Sequence, residues 1–118
     1  MSVVLLRHAW AGDRDHWDGD DRTRPLDERG RAQALLLAQQ LRELGVRRAV
    51  SSPYTRCVQT LEPLAIPVEE DSRLAEGAAR EETLELLSGL VDAVACTHGD
   101  IVENVLGRSL KKGRFVVL

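Results

Sequence analysis

Three short strand-like runs, residues 3–6, 46–50 and 93–96, alternate with stretches of helical periodicity, and this alternation restricts the chain to an open α/β sheet. The first run, VVLL, is uninterrupted and rich in β-branched residues, as a strand covered on both faces requires. From Asp27 the pattern predicts a helix to about Leu44, capped by Asp27, ended by Gly45 and presenting Leu35, Leu36, Leu37, Leu41 and Leu44 as its apolar face. A second helix is expected over residues 53–65, with Pro53 at its first position and Ser52 as its cap. Residues 66–68 read as extended. Further helices are expected over 80–90, with Leu84, Leu87 and Leu90 on one side, and over 100–106, stopped by Gly107. Residues 115–117 complete the pattern as a terminal edge strand, and the expected sheet is mostly parallel.

The chain has 118 residues, enough for one core, so a single domain over 1–118 is expected. Phe, Trp and Tyr total four residues, which excludes the aromatic platforms that bind single-stranded nucleic acid. A formal charge of −3 argues against nucleic acid polymers as partners. No apolar run reaches the length needed to cross a bilayer, and nothing at the N-terminus reads as a leader, so no membrane partner and a cytoplasmic location are expected. Cys57 and Cys96 lie in apolar segments outside any CxxC pair and read as buried reduced thiols, and no metal site is expected. Residues 10–24, carrying five Asp and both Trp residues, read as a long solvated loop in which His16, Trp10 and Trp17 act as anchors.

Ligands of open α/β sheets bind beyond the carboxyl ends of the strands. Here the first strand ends in Arg7 and His8, the second in Ser51 and Ser52 with Arg56 one turn further on, and the third in Thr97, His98 and Gly99. Two histidines and two arginines therefore converge on one edge beside two helix N-termini, which suits a phosphoryl group. A neutral His8 can attack phosphorus in line if its other ring nitrogen donates to a carbonyl or carboxylate. Arg7, Arg56 and a protonated His98 then neutralise the equatorial oxygens without a cofactor or metal.

The segments VVLLRHAW, RPLDERGRAQA, SSPYTRCVQTLEPLA, RLAEG and CTHGD together resemble the histidine phosphatase superfamily, in the family's order and over nearly the whole chain. They are most similar to small bacterial phosphohistidine phosphatases and to the phosphatase-like domain fused to some Nudix hydrolases. The resemblance implies a phosphoglycerate mutase-like fold, an open, mostly parallel sheet in three layers with helices on both faces. It implies that His8 is the nucleophile, that Arg7, Arg56 and His98 bind phosphate, and that Glu76 of RLAEG is the proton donor. Ala9 stands where the family usually has glycine, and the insertions that cap the site in larger members are missing.

The function expected is hydrolysis of a phosphomonoester or protein phosphohistidine through phosphohistidine at His8. The partner would be a phosphorylated small molecule, a nucleotide or a phosphohistidine protein. Two alternatives remain at this stage: a phosphodiesterase using two histidines as acid and base, and a module that binds phosphorylated ligands without turnover.

Overall fold

The computed structural model describes residues 2–118. Its sheet has five strands, β1 (Val3–Arg7), β2 (Arg48–Ser51), β3 (Val68–Glu70), β4 (Ala93–Thr97) and β5 (Phe115–Val117), in the order β3-β2-β4-β1-β5. The first four run parallel, and β5 is antiparallel to β1 at the edge. Helices α1 (Glu28–Glu43), α2 (Thr55–Leu61), α3 (Arg80–Ser88) and α4 (Gly99–Leu106) complete the regular elements, with short 3-10 turns in the loops.

Alternation along β1 divides the core between the two faces of the sheet. Val4 and Leu6 pack with Leu37, Ala38 and Leu41 of α1 and Cys57 and Leu61 of α2. Leu5 points the other way, to Leu86 and Leu87 of α3 and Val102 of α4. The result is the expected three layers. Each fully buried Leu contributes about 2 kcal/mol relative to exposure, and the aliphatic composition explains why both halves are filled by Leu, Val and Ala.

Several local expectations need correction. Asp27 caps α1 as expected, its carboxylate accepting from the Gly30 amide at 2.7 Å. Leu35 and Leu36, however, are each 66% exposed, because a period of 3.6 turns only residues 30, 34, 37, 38 and 41 inward. Leu44 is also exposed. Helix α2 begins at Thr55 with Tyr54 at its cap, two residues later than expected, and passes into a 3-10 turn, Glu62–Leu64, at Pro63. Ser52 is therefore not a helix cap. The extended segment at 66–68 leads into a true edge strand, β3, paired with β2.

Gly30 is required by packing: a Cβ there would lie 1.8 Å from the Trp10 carbonyl oxygen. This close approach draws the loop after β1 against the start of α1. Among the described residues no helix is long and apolar enough to cross a membrane.

Candidate active site

Strands β1 and β4 are neighbours, yet the chain leaves β1 for α1 on one face and β4 for α4 on the other. A crevice opens at their carboxyl ends, where such a reversal places ligands. The parallel register pairs Arg7 with Thr97, and the His8 amide donates to the Thr97 carbonyl at 3.0 Å, so His8 and His98 emerge side by side. Their ring centroids are 5.5 Å apart, edge to face at 69°. A cleft of about 380 Å³ there is lined by Arg7, His8, Arg56, Glu76 and His98, the five residues expected from sequence, together with Arg14, Arg24 and Lys112.

His8 is only 6% exposed. Burial takes its imidazole from the ordinary 6.5 down to about 3; the hydrogen bond to the Ala9 carbonyl opposes this, and the positive surroundings of His98, Arg56 and Arg7 add to it. The ring is neutral at pH 7. Nδ1 donates to the Ala9 carbonyl oxygen at 2.8 Å, which leaves the lone pair on Nε2. Ala9 is fully buried, lies outside the positive-φ region, and its amide donates to Thr60 Oγ1 at 3.1 Å. Its methyl group is thus accommodated without backbone strain.

Three nitrogens on the other lining residues, Arg7 Nε, Arg56 Nε and His98 Nδ1, are buried without a hydrogen-bond partner among the described residues. Burying such groups unsatisfied is costly, so their convergence marks a place for an acceptor-rich group. Arg7 is held by Nη1 donating to the Leu110 carbonyl at 2.7 Å. Its guanidinium crosses the start of α4 because Gly99 has no side chain; a Cβ there would lie 2.9 Å from Arg7 Cζ. Arg56, wholly buried in the first turn of α2, donates to the Asp21 carbonyl at 2.8 Å and to its carboxylate at 3.1 Å.

His98 is oriented by Ser52. The Ser52 hydroxyl accepts from the Tyr54 amide at 3.2 Å and lies 2.9 Å from His98 Nε2. With Nε2 engaged by Ser52, Nδ1 is the ring nitrogen left to face a ligand, and in the protonated ring it carries a hydrogen to donate. Tyr54 packs edge to face on the same ring, centroids 4.6 Å apart, and Cys57 Sγ lies 3.6 Å from Nε2. Both cysteines are free and buried, as expected.

Glu76 reaches the cleft because its loop is pinned to the end of β4. Thr97 Oγ1 donates to the Leu74 carbonyl, and the Gly77 amide, at a positive φ, donates to Asp100 at 2.9 Å. The Glu76 carboxylate accepts from Arg14 at 2.7 Å and lies 3.6 Å from Arg56. The other lining carboxylates are engaged elsewhere, Asp13 by His16 and Asp100 by Gly77.

Sequence reasoning missed Asp21, which accepts from both Arg24 and Arg56, as well as Arg14 and Lys112. Their only signal was charge in two irregular loops. His16 is exposed and outside this cleft, and the Trp17 indole donates to the Asp20 carbonyl at 3.0 Å, an anchoring contact. Among the described residues no group of three or more His, Cys, Asp or Glu side chains is arranged to hold a metal ion.

Known proteins share this fold. The protein histidine phosphatase SixA complexed with tungstate superposes with a TM-score of 0.77 at 21% identity, over 100% of this chain and 94% of that one. A mycobacterial glucosyl-3-phosphoglycerate phosphatase complexed with VO3 gives 0.76 at 18% identity, over 99% and 92%. At these identities the likeness concerns the fold. In sequence the chain is 37% identical over 116 residues to an 8-oxo-(d)GTP phosphatase of Mycolicibacterium smegmatis, a match covering 89% of this chain and 36% of the relative. The chain thus spans about a third of that relative's length. The model of the histidine phosphatase superfamily, branch 1, matches residues 3–86, most of the chain and all but one of the expected site residues, and the chain belongs to that superfamily.

Proposed function

We propose that the chain is a metal-independent phosphatase that hydrolyses a phosphomonoester or a protein phosphohistidine through a covalent phosphohistidine on His8. The observation that carries this reading is the convergence of three buried, unpartnered donor groups, from Arg7, Arg56 and His98, on a cleft that also holds a neutral imidazole.

His8 Nε2 attacks phosphorus in line with the leaving oxygen, while Nδ1 keeps its hydrogen bond to the Ala9 carbonyl. That carbonyl supports the positive charge the ring acquires when the P–N bond forms. Arg7 and Arg56 bring fixed guanidinium charge to the equatorial oxygens, and His98 Nδ1 adds a hydrogen-bond donor; this electrostatic contribution is the larger part of phosphoryl-transfer catalysis. Because the donors are already fixed by Leu110, Asp21 and Ser52, little reorganisation is needed at the moment of reaction.

Glu76 handles protons. It protonates an alkoxide leaving group in the first step and takes a proton from the attacking water in the second. Water then displaces His8 from phosphorus, the P–N electron pair returns to Nε2, and inorganic phosphate departs. The cleft is open enough for a phosphorylated small molecule, a nucleotide or a phosphohistidine side chain on another protein.

A phosphatase screen with wild type and His8→Ala, run with EDTA throughout, tests the proposal. Turnover by the wild type and its loss in the variant are expected. Activity that needs a divalent cation, or that survives in His8→Ala, contradicts it. Binding of phosphorylated compounds without any turnover would favour the ligand-holding alternative.

A further inference from the structure

Five cationic side chains line the cleft: Arg7, Arg14, Arg24, Arg56 and Lys112. Three have carboxylate partners. Arg14 pairs with Glu76 and Asp21, Arg24 with Asp21, and Arg56 with Asp21 and more distantly with Glu76. For Arg7 and Lys112, no carboxylate lies within ion-pair distance among the described residues. Arg7 is accounted for by the transferred phosphoryl group. Lys112 is not.

Lys112 is also held in place. Its ammonium lies 4.8 Å from the centroid of the Trp10 ring, which Arg29 also contacts at 3.9 Å. Its backbone carbonyl accepts from Gln33 Nε2 at 3.3 Å, and the next amide, of Gly113, donates to the carbonyls of Arg7 and His8 at 3.1 and 2.9 Å. The lysine is thus tied to the end of the strand that carries the nucleophile. Burial and the nearby charges of Arg7 and Arg24 lower its proton affinity, opposed by the more favourable fields of Asp27 and Asp13. A half-buried ammonium facing two guanidinium groups is a standing electrostatic cost, and an anion brought by the substrate offsets it.

We infer that Lys112 binds a second anionic group of the substrate beside the phosphoryl group held by Arg7, Arg56 and His98, so that the preferred substrates are phosphoanhydrides of the nucleoside diphosphate class. This deepens the reading of His8 as nucleophile and rests on it. A phosphate leaving group needs no proton to depart, whereas an alkoxide does, so an anhydride makes no demand on Glu76 in the first step.

The step balances as follows. The lone pair of His8 Nε2 forms the P–N bond, and the terminal P–O bridge breaks with its electron pair remaining on the departing phosphate, which Lys112 neutralises. Water then attacks phosphorus, the P–N pair returns to Nε2, one water hydrogen stays on inorganic phosphate, and the other leaves as a proton by way of Glu76.

The test compares kcat/KM for ADP, inorganic pyrophosphate and p-nitrophenyl phosphate in wild type, Lys112→Met and Lys112→Arg. With one charge-assisted contact removed, Lys112→Met is expected to lose about tenfold or more in kcat/KM on ADP and less than about twofold on the aryl ester. Lys112→Arg should recover most of the loss. A parallel loss on pyrophosphate places recognition in the second phosphate and supports the proposal, whereas a loss confined to ADP would place Lys112 against the nucleoside and would overturn it. Equal losses on ADP and the aryl ester would assign Lys112 to the transferred phosphate or to folding, and would overturn it. So would a wild type that cleaves the aryl ester and leaves both anhydrides intact. No turnover of any of the three would remove the His8 reading as well, which separates the two failures.

Discussion

His8 and His98 stand edge to face with ring centroids 5.5 Å apart, yet they are tied through opposite ring nitrogens. His8 is tied through Nδ1 to the Ala9 carbonyl and exposes a lone pair on Nε2. His98 is tied through Nε2 to Ser52 and leaves Nδ1 buried and unpartnered. A backbone carbonyl and a hydroxyl thus leave two chemically identical rings with different free nitrogens, which the proposed mechanism uses as nucleophile and donor.

The depressed proton affinity of His8 has a consequence for stability. Its imidazole titrates near 3 when folded and near 6.5 when unfolded, so between these values the unfolded chain binds more protons. The stability associated with the neutral ring is fully present above about pH 6.5 and is lost as pH falls toward 3. Replacing His8 with Gln should flatten the fall of Tm across that window, as measured by thermal unfolding at successive pH values. An unchanged slope would show that the ring is not held neutral. Catalysis should likewise show no acidic limb near 6.5 arising from the nucleophile.

Arg7→Lys and Arg56→Lys should each lower kcat/KM by about 100-fold or more, since an ammonium cannot reproduce the planar, two-pronged donation of a guanidinium to phosphate. Steady-state kinetics on an aryl phosphate are sufficient. Arg56 carries a second burden, because it also anchors Asp21, so its replacement should lower Tm as well.

Gly99→Ala tests the packing behind Arg7. The added methyl would meet the guanidinium at 2.9 Å, and the flexible end of the arginine can move away at little cost to the fold. Moving it misplaces the phosphate contact, and a displacement on the order of an ångström can cost up to about 100-fold in rate. Near-native Tm with strongly reduced kcat/KM is the expected pair of results. Full activity would mean that the position of Arg7 is unimportant.

Glu76→Gln should slow turnover of alkyl phosphates more than that of activated aryl phosphates, whose leaving groups depart without a proton. Comparing kcat/KM ratios for the two classes gives the answer. Equal losses would place Glu76 in binding alone.

Much of this architecture is legible in the amino-acid sequence. β1 and β4 are short apolar runs that stop at polar residues, and a parallel sheet places such stops along one edge. Arg7, His8 and His98 were therefore legible as a group, and Arg56 followed from its place shortly after β2, in the first turn of α2. Periodicity failed where its signal was degenerate. The run Leu35-Leu36-Leu37 offers three leucines to a helix that can bury only one, and the neighbouring alanines decided which. β3 was hidden because Glu69 and Glu70 of this edge strand remain exposed. The contact of Arg56 with Asp21 joins residues 35 apart through an irregular loop, and Lys112 reaches the cleft from the opposite end of the chain. Such pairings depend on tertiary placement, which local patterns do not encode. Ser52 shows the same limit: its type suited a helix cap, while the fold uses it to orient His98.

The most direct test is to trap the reaction during turnover of an aryl phosphate by rapid quenching, then locate the adduct by mass spectrometry. A phosphoryl group on His8 that survives alkali and is lost in acid, and that is absent from His8→Ala, is the predicted result. Sustained hydrolysis with the His8 peptide unmodified at every quench time would contradict covalent catalysis at this residue.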